Sequence, residues 1–376
     1  MLIKNGLVFT ESGRFEPLTV VTDNGRISML LPPEAMIKYS GEVVDAEGCF
    51  VLPGLCDIHL HGCMGHDFCE GTAAAIDAIA EYEYSQGAAV ICPATMTLPD
   101  SELERILKAA AGYKAAPHPA GRAELAGVHL EGPFISPAKK GAQKGEHIQA
   151  PSAEKLRGWQ EASGGLIRLV TIAPELEGAI ECIAAMRGEM RFSLGHTESS
   201  YETAAAAFEA GADHITHMYN AMPPFSHRAP GVIGAAFDRE GCFAELICDG
   251  VHTSPCAVRA AYRLFGEDRL VLISDSMEAA GMPEGEYQLG GQKVYVKGDR
   301  ACLADGTIAG SVTSIYKCMQ KAVEFGLPLE AAVKAAAVNP CRSIGIDGEY
   351  GSIAAGKRTP LLLADRETLA LRAVLS

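Results

Sequence analysis

The sequence predicts an α/β protein, a (β/α)8 TIM-type barrel beside a small discontinuous β-sandwich domain built from both chain termini. Three observations predict it. From residue 51 onward, eight short apolar segments alternate with Ala-rich helical patterns, as parallel βα units do. Several of these segments end on His, Glu or Asp just before Gly, Pro or a polar loop. Residues 1–50 and 346–376 instead have β character, the first block alternating apolar and polar positions around Asn/Asp-Gly turns. At 376 residues and 39.6 kDa, the chain has the size of one barrel plus an accessory domain.

In chain order, residues 1–50 read as short strands, with turns at Asn5-Gly6 and Asn24-Gly25. The barrel spans residues 51–345. Its strands are expected at 55–60, 88–92, 125–131, 167–172, 192–195, 214–217, 244–248 and 270–274. Helices are expected at 72–86, 101–111, 153–162, 177–186, 202–210 and 257–265. Residues 282–309 look like an inserted hairpin and loop, followed by a helical pair at 314–325 and 328–338. Residues 346–376 add strands to the sheet begun by residues 1–50.

Composition narrows the function. A net charge of −15, with no basic cluster beyond Lys139-Lys140, argues against nucleic acid or an anionic membrane as partner. It leaves room for an anionic small molecule, which one or two local cations can hold. The 12 cysteines form no CxxC pair and several lie in apolar runs, so they read as reduced thiols of a cytoplasmic protein. The N-terminal MLIKNGLVFT lacks the long apolar core of a signal peptide, and no apolar run approaches the ~20 residues that span a bilayer. No GxGxxG after a strand, Walker-type GxxxxGK or GxSxG elbow occurs, against nucleotide cofactors and serine hydrolase chemistry.

The strand ends carry the chemistry. His59 and His61 lie in CDIHLHG, Glu131 in HLEGPF, His196 in SLGHT, His217 in THMYNAM and Asp275 in ISDSMEAAG. A closed parallel barrel gathers such ends at one mouth. Two residues apart on a strand, His59 and His61 share a face. The set offers two potential cation sites: Glu131, His196 and His217 for one, His59 with His61 for a second. Glu131 is able to bridge them and Asp275 to touch either. Such donors suit a divalent metal that activates water, and Asp275 is the natural general base. His129 shares the face of Glu131 and is left unassigned. Gln143 is a nearby donor for a substrate carbonyl. Arg228 and His252 at the same mouth have the charge to grip a phosphate, with backbone N–H groups around Asn220 and Ala221 as further donors. Metal-assisted hydrolysis of a C–N bond is the reaction class that follows.

These stretches, together with HLEGPFISPAKKGA, ICDGVHTSP and LADGTIAGS, resemble the amidohydrolase superfamily, and within it the N-acetylglucosamine-6-phosphate deacetylase family. The likeness covers nearly the whole chain. It implies Glu131, His196 and His217 as primary metal ligands, Asp275 as general acid/base, and Asn220, Ala221, Arg228 and His252 as contacts to sugar and phosphate. It implies removal of acetate from N-acetyl-D-glucosamine 6-phosphate in amino-sugar catabolism, with the galactosamine epimer as the nearest alternative and cyclic amidases or aminohydrolases more distant ones. A divalent metal, one or two per subunit, is implied, with Zn2+ foremost and Fe2+, Mn2+ or Co2+ compatible with the same donors. A homodimer is implied as well. The chain keeps both histidines of the HxH pair, which some members replace. It has Gln143 where some carry a histidine, and Ala229 after the arginine where Glu is frequent.

Overall fold

The computed structural model describes residues 1–376. All eight expected barrel strands are present and pair in parallel. One sheet runs Ala94–Thr95, Val128–Glu131, Ile167–Ile172, Arg191–Leu194, His214–Ile215, Phe243–Ile247 and Leu270–Ile273. A second joins Leu55–Asp57 to Ala88–Ile91, and Ala88–Ile91 to Glu124–Leu125. The second and third strands are thus each split between the two sheets. In the second strand the break falls at Cys92-Pro93, where proline has no N–H to continue a ladder.

The barrel closes between its first and last strands through irregular bonds. Asp275 N–H donates to His59 O (2.9 Å) and His61 N–H to Ser276 O (2.7 Å). The closing seam therefore runs through the strand ends that carry His59, His61 and Asp275. The strands are buried on both faces, as their near-continuous apolar runs require; every residue of Phe243–Ile247 is buried.

Surrounding helices start where the sequence supplies a capping hydroxyl. Thr72, Ser152, Ser200, Ser254 and Ser314 each accept a hydrogen bond from a backbone N–H in the first turn of the helix they precede. One helix differs from expectation. Gly231–Asp238 falls where no helix is expected, because GVIGAAFD is apolar almost throughout and shows no 3.6-residue alternation. The second helix of the expected pair also runs on, its turns reaching Ser343.

The chain termini meet in one seven-stranded sheet, ordered Leu371–Leu375, Leu361–Asp365, Cys49–Pro53, Leu2–Phe9, Phe15–Asp23 and Arg26–Leu31, with Val43–Asp45 also on Leu2–Phe9. Leu361–Asp365 runs antiparallel to Cys49–Pro53, pairing Leu363 with Val51. The sheet has its own core of Ile3, Val8, Val20, Ile27, Val51 and Leu363. Cys49–Pro53 straddles the expected boundary at residue 50. The insertion after the last barrel strand forms a three-stranded antiparallel sheet, Gly285–Leu289, Gln292–Lys297 and Arg300–Cys302. Its apolar residues Leu289, Val294 and Val296 pack on Met96 and Met277 beside the barrel mouth.

Candidate active site

The backbone turns sharply at each functional strand end. His196, His217 and Asp275 adopt positive φ values of 46°, 27° and 50°, as does Ala221 at 50°. Such left-handed conformations cost about 1–3 kcal/mol for residues with a Cβ and persist only where the surroundings impose them. Here they lift the side chains off the ladder and into the mouth. Glu131 is followed by Gly132 at φ 87°, where an added Cβ would collide with Thr97 Oγ1. Only glycine lets the chain leave the strand at that point.

Glu131 is the centre of the constellation. Its Oε1 lies 3.1 Å from both His196 Nε2 and His217 Nε2, and those two nitrogens are 3.1 Å apart. Its Oε1 also lies 3.3 Å from His59 Nε2, and its Oε2 lies 3.4 Å from His61 Nε2. Asp275 Oδ1 completes the other side, 3.2 Å from His61 Nε2 and 3.7 Å from His59 Nε2. Two three-donor groups result: Glu131, His196 and His217, and His59, His61 and Asp275. Glu131 Oε1 thus faces His196, His217 and His59, while Oε2 turns toward His61.

The donor set fits a divalent cation. His196 Nδ1–H donates to Lys139 O (2.8 Å) and His59 Nδ1–H to Glu245 Oε2 (3.0 Å). Each bond places the ring proton on Nδ1 and leaves the Nε2 lone pair for a metal. His59 Nε2 is buried without a hydrogen-bond partner in the protein, which a cation would supply. The electrostatics agree. Burial pushes the Glu131 carboxyl up, but the His59 charge and the hydrogen bonds from His196 and His217 hold it well below the usual range. Burial lowers the His61 pKa, yet the hydrogen bonds to Asp275 and Glu131 push it up to about 10. Asp275 likewise stays below the carboxylate range, because His61 and His59 outweigh its burial. The carboxylates of this site create a field that favours positive charge at its centre.

A cavity of about 310 Å³ opens onto the constellation, lined by His61, Glu131, His196, His217, His252 and Asp275 among others. Asn220 and Ala221 lie on its wall, where Ala221 O accepts from Thr197 N–H (3.0 Å) and fixes the turn. Gln143 lines the cavity too, but both ends of its amide are engaged. Its Nε2 donates to Glu131 Oε2 (2.6 Å) and its Oε1 accepts from Thr97 N–H (2.7 Å). In this geometry Gln143 orients the central carboxylate, and the second N–H of its amide carries no bond to the protein. Arg228 is exposed on the loop before Gly231–Asp238 and is not part of the cavity wall. His129 is a packed structural residue, with Nε2 2.7 Å from Thr171 Oγ1.

Two functional carboxylates escaped the sequence reading. Glu245 holds His59 in place, and Asp249 binds His252 Nδ1 at 2.7 Å. The first had a signal, a lone acid inside the apolar strand FAELI. The second sits three residues before the histidine it holds.

Residues 50–371 match the model of the amidohydrolase family. The chain is 36% identical over 370 residues to the N-acetylglucosamine-6-phosphate deacetylase of Bacillus subtilis, covering 98% of this chain and 93% of that one. It is 33% identical over 360 residues to the N-acetylgalactosamine-6-phosphate deacetylase of Escherichia coli O157:H7, covering 95% and 93%. Among solved structures, a variant of the Mycobacterium smegmatis N-acetyl-D-glucosamine-6-phosphate deacetylase in complex with N-acetyl-D-glucosamine 6-phosphate superposes with a TM-score of 0.92. It shares 32% sequence identity, with 100% of this chain and 97% of that one covered.

Proposed function

The chain belongs to the amidohydrolase family, and from that premise we propose that it hydrolyses the N-acetyl group of N-acetyl-D-glucosamine 6-phosphate, giving D-glucosamine 6-phosphate and acetate. The observation that carries the reading is the placement of Asp275 across one cavity from the Glu131, His196 and His217 triad. Glu131, His196 and His217 would hold a divalent cation, which would supply Lewis-acid activation of water and of the acetamide carbonyl. Asp275 accepts the proton of the attacking water and delivers it to the amine nitrogen as the C–N bond breaks. Gln143 keeps Glu131 oriented throughout. His252, on the cavity wall, meets the 6-phosphate, and the Asn220–Ala221 turn meets the sugar.

We infer Zn2+ as the ion at Glu131, His196 and His217, with Fe2+, Mn2+ or Co2+ accommodated by the same ligand chemistry. A second ion at His59 and His61, beside Asp275, is part of the proposal, supported by the retained HxH pair and by Glu131, whose Oε1 lies near His59 and whose Oε2 lies near His61. We also infer a homodimer. Phe225, three residues before Arg228, is 47% exposed, an apolar side chain suited to contact with a second copy, and Arg228 is then the side chain offered to the neighbouring phosphate. The setting we propose is the cytoplasm; no helix of the chain is long and apolar enough to cross a membrane.

The test is metal analysis of the purified protein coupled to acetate release from both 6-phosphosugar epimers. Metal-dependent release with the higher kcat/KM on the glucosamine epimer supports the reading. A preference for the galactosamine epimer, the substrate named for the E. coli relative, replaces it with the alternative.

A further inference from the structure

The loop after strand Phe243–Ile247 contains a carboxylate with three bonds to two residues. Asp249 Oδ1 accepts from the backbone N–H of Val251 and of His252, both at 2.8 Å. Its Oδ2 lies 2.7 Å from His252 Nδ1. The two side chains are only 5% and 6% exposed, so the pair is sheltered from solvent. The backbone bonds fix the carboxylate, and the carboxylate then fixes the ring. Because an ionised carboxylate only accepts, the bonded Nδ1 must carry the proton. His252 Nε2 has no partner in the protein, and the ring lines the active-site cavity.

The protonation of that free nitrogen decides what His252 can recognise. A neutral ring protonated on Nδ1 presents a lone pair, which repels a phosphate oxygen. An imidazolium presents an N–H that donates to it with charge assistance. The charged groups facing the ring are Asp249 in its own loop and Asp275 from the end of Leu270–Ile273, and both favour the cation. Burial opposes them, but the Asp249 hydrogen bond and charge prevail, and the His252 pKa stands above its ordinary value. Asp249 thus sets the tautomer, the orientation and the charge of the ring.

Resting on the phosphosugar reading of this cavity, we propose that Asp249 is a positioning residue for substrate specificity: it holds His252 with Nδ1 protonated and Nε2 turned to the cavity, so that the enzyme distinguishes phosphorylated from unphosphorylated sugars.

The test compares the metal-loaded wild type with Asp249→Asn on N-acetylglucosamine with and without its 6-phosphate. The carboxamide keeps the shape of the side chain and removes the charge. Discrimination between the two sugars is expected to fall about tenfold or more, in line with loss of a hydrogen bond to a charged group. The loss should appear in KM for the phosphorylated sugar and not in kcat. A proportional fall on both sugars through kcat would mean that Asp249 only maintains the loop, and the proposal is overturned. If the wild type discriminates and the variant does so equally, the proposal alone fails. If the wild type itself treats both sugars alike, the phosphosugar reading fails and takes the proposal with it. A measurement on the wild type covers the case of a variant that does not fold. Nitrogen-15 NMR of histidine-labelled protein should show His252 protonated on Nδ1, with Nε2 protonated as well once inorganic phosphate is added. A ring protonated only on Nε2 is the opposite result and also overturns the proposal.

Discussion

Glu245 and His59 form a fully buried pair, with Oε2 3.0 Å from Nδ1 and both side chains without exposure. Glu245 Oε2 also accepts from the backbone N–H of His217 (3.3 Å), so one carboxylate braces a residue of each ligand group. We expect Glu245→Gln to weaken metal binding about 10- to 100-fold, the usual effect of removing an outer partner of a metal ligand. Titration of the stripped protein with Zn2+ measures it. Unchanged affinity would reduce Glu245 to a packing role.

Asp275→Asn should lower kcat by about 100- to 10,000-fold, the contribution typical of a positioned general base. Metal content, read by elemental analysis, should stay near wild type. If the variant loses metal instead, Asp275 acts as a ligand more than as a base.

Arg228→Ala should raise KM for the phosphorylated sugar about tenfold or more, since a charge-assisted bond is worth about 1.5–3 kcal/mol. Its exposed position outside the cavity wall makes a sharper experiment available. In the proposed homodimer, mixed dimers of Arg228→Ala and Asp275→Asn should regain turnover at substrate concentrations below the raised KM, the second subunit's arginine then completing the first subunit's site. Mixed dimers no more active than the parents would place Arg228 in its own site or in neither.

Asp365 anchors the turn between the last two strands of the terminal sheet. Hydrogen bonds from Thr368 and Glu367, with Arg372 beside it, hold its carboxyl down at about 2. A folded-state pKa below the unfolded value of about 3.9 gives stability that is present above that value and lost as pH falls toward about 2. The difference in urea midpoint between wild type and Asp365→Asn should therefore be full at neutral pH and shrink below about pH 4. A difference that stays constant with pH would assign the effect to shape and not to charge.

Much of the site was legible because barrel chemistry lies at strand ends, and strand ends are local features of a sequence. HLEGPF, SLGHT and THMYNAM each show an apolar run, a ligand and a breaker within a few residues. Glu245 was harder to place. Its meaning depends on His59, 186 residues away, which only closure of the barrel brings within reach. Gln143 reads as a donor to substrate, and only the fold shows that its amide also meets Glu131 and the Thr97 N–H. The helix Gly231–Asp238 was hidden because its sides are buried almost all round, which erases the periodicity that marks a surface helix.

The sequence by itself determined the order of strands and helices, the joining of the two termini in one domain, and which imidazoles and carboxylates stand at the barrel mouth. Those follow from apolar periodicity, turn residues and polar residues at strand ends, all written within a few positions of one another. The tertiary structure alone decided which oxygen of Glu131 faces which histidine, that Glu245 holds the His59 ring, and that Arg228 lies off the cavity wall. Hydrogen-bond partners and left-handed strand ends are set by neighbours distant along the chain, and no local pattern encodes them.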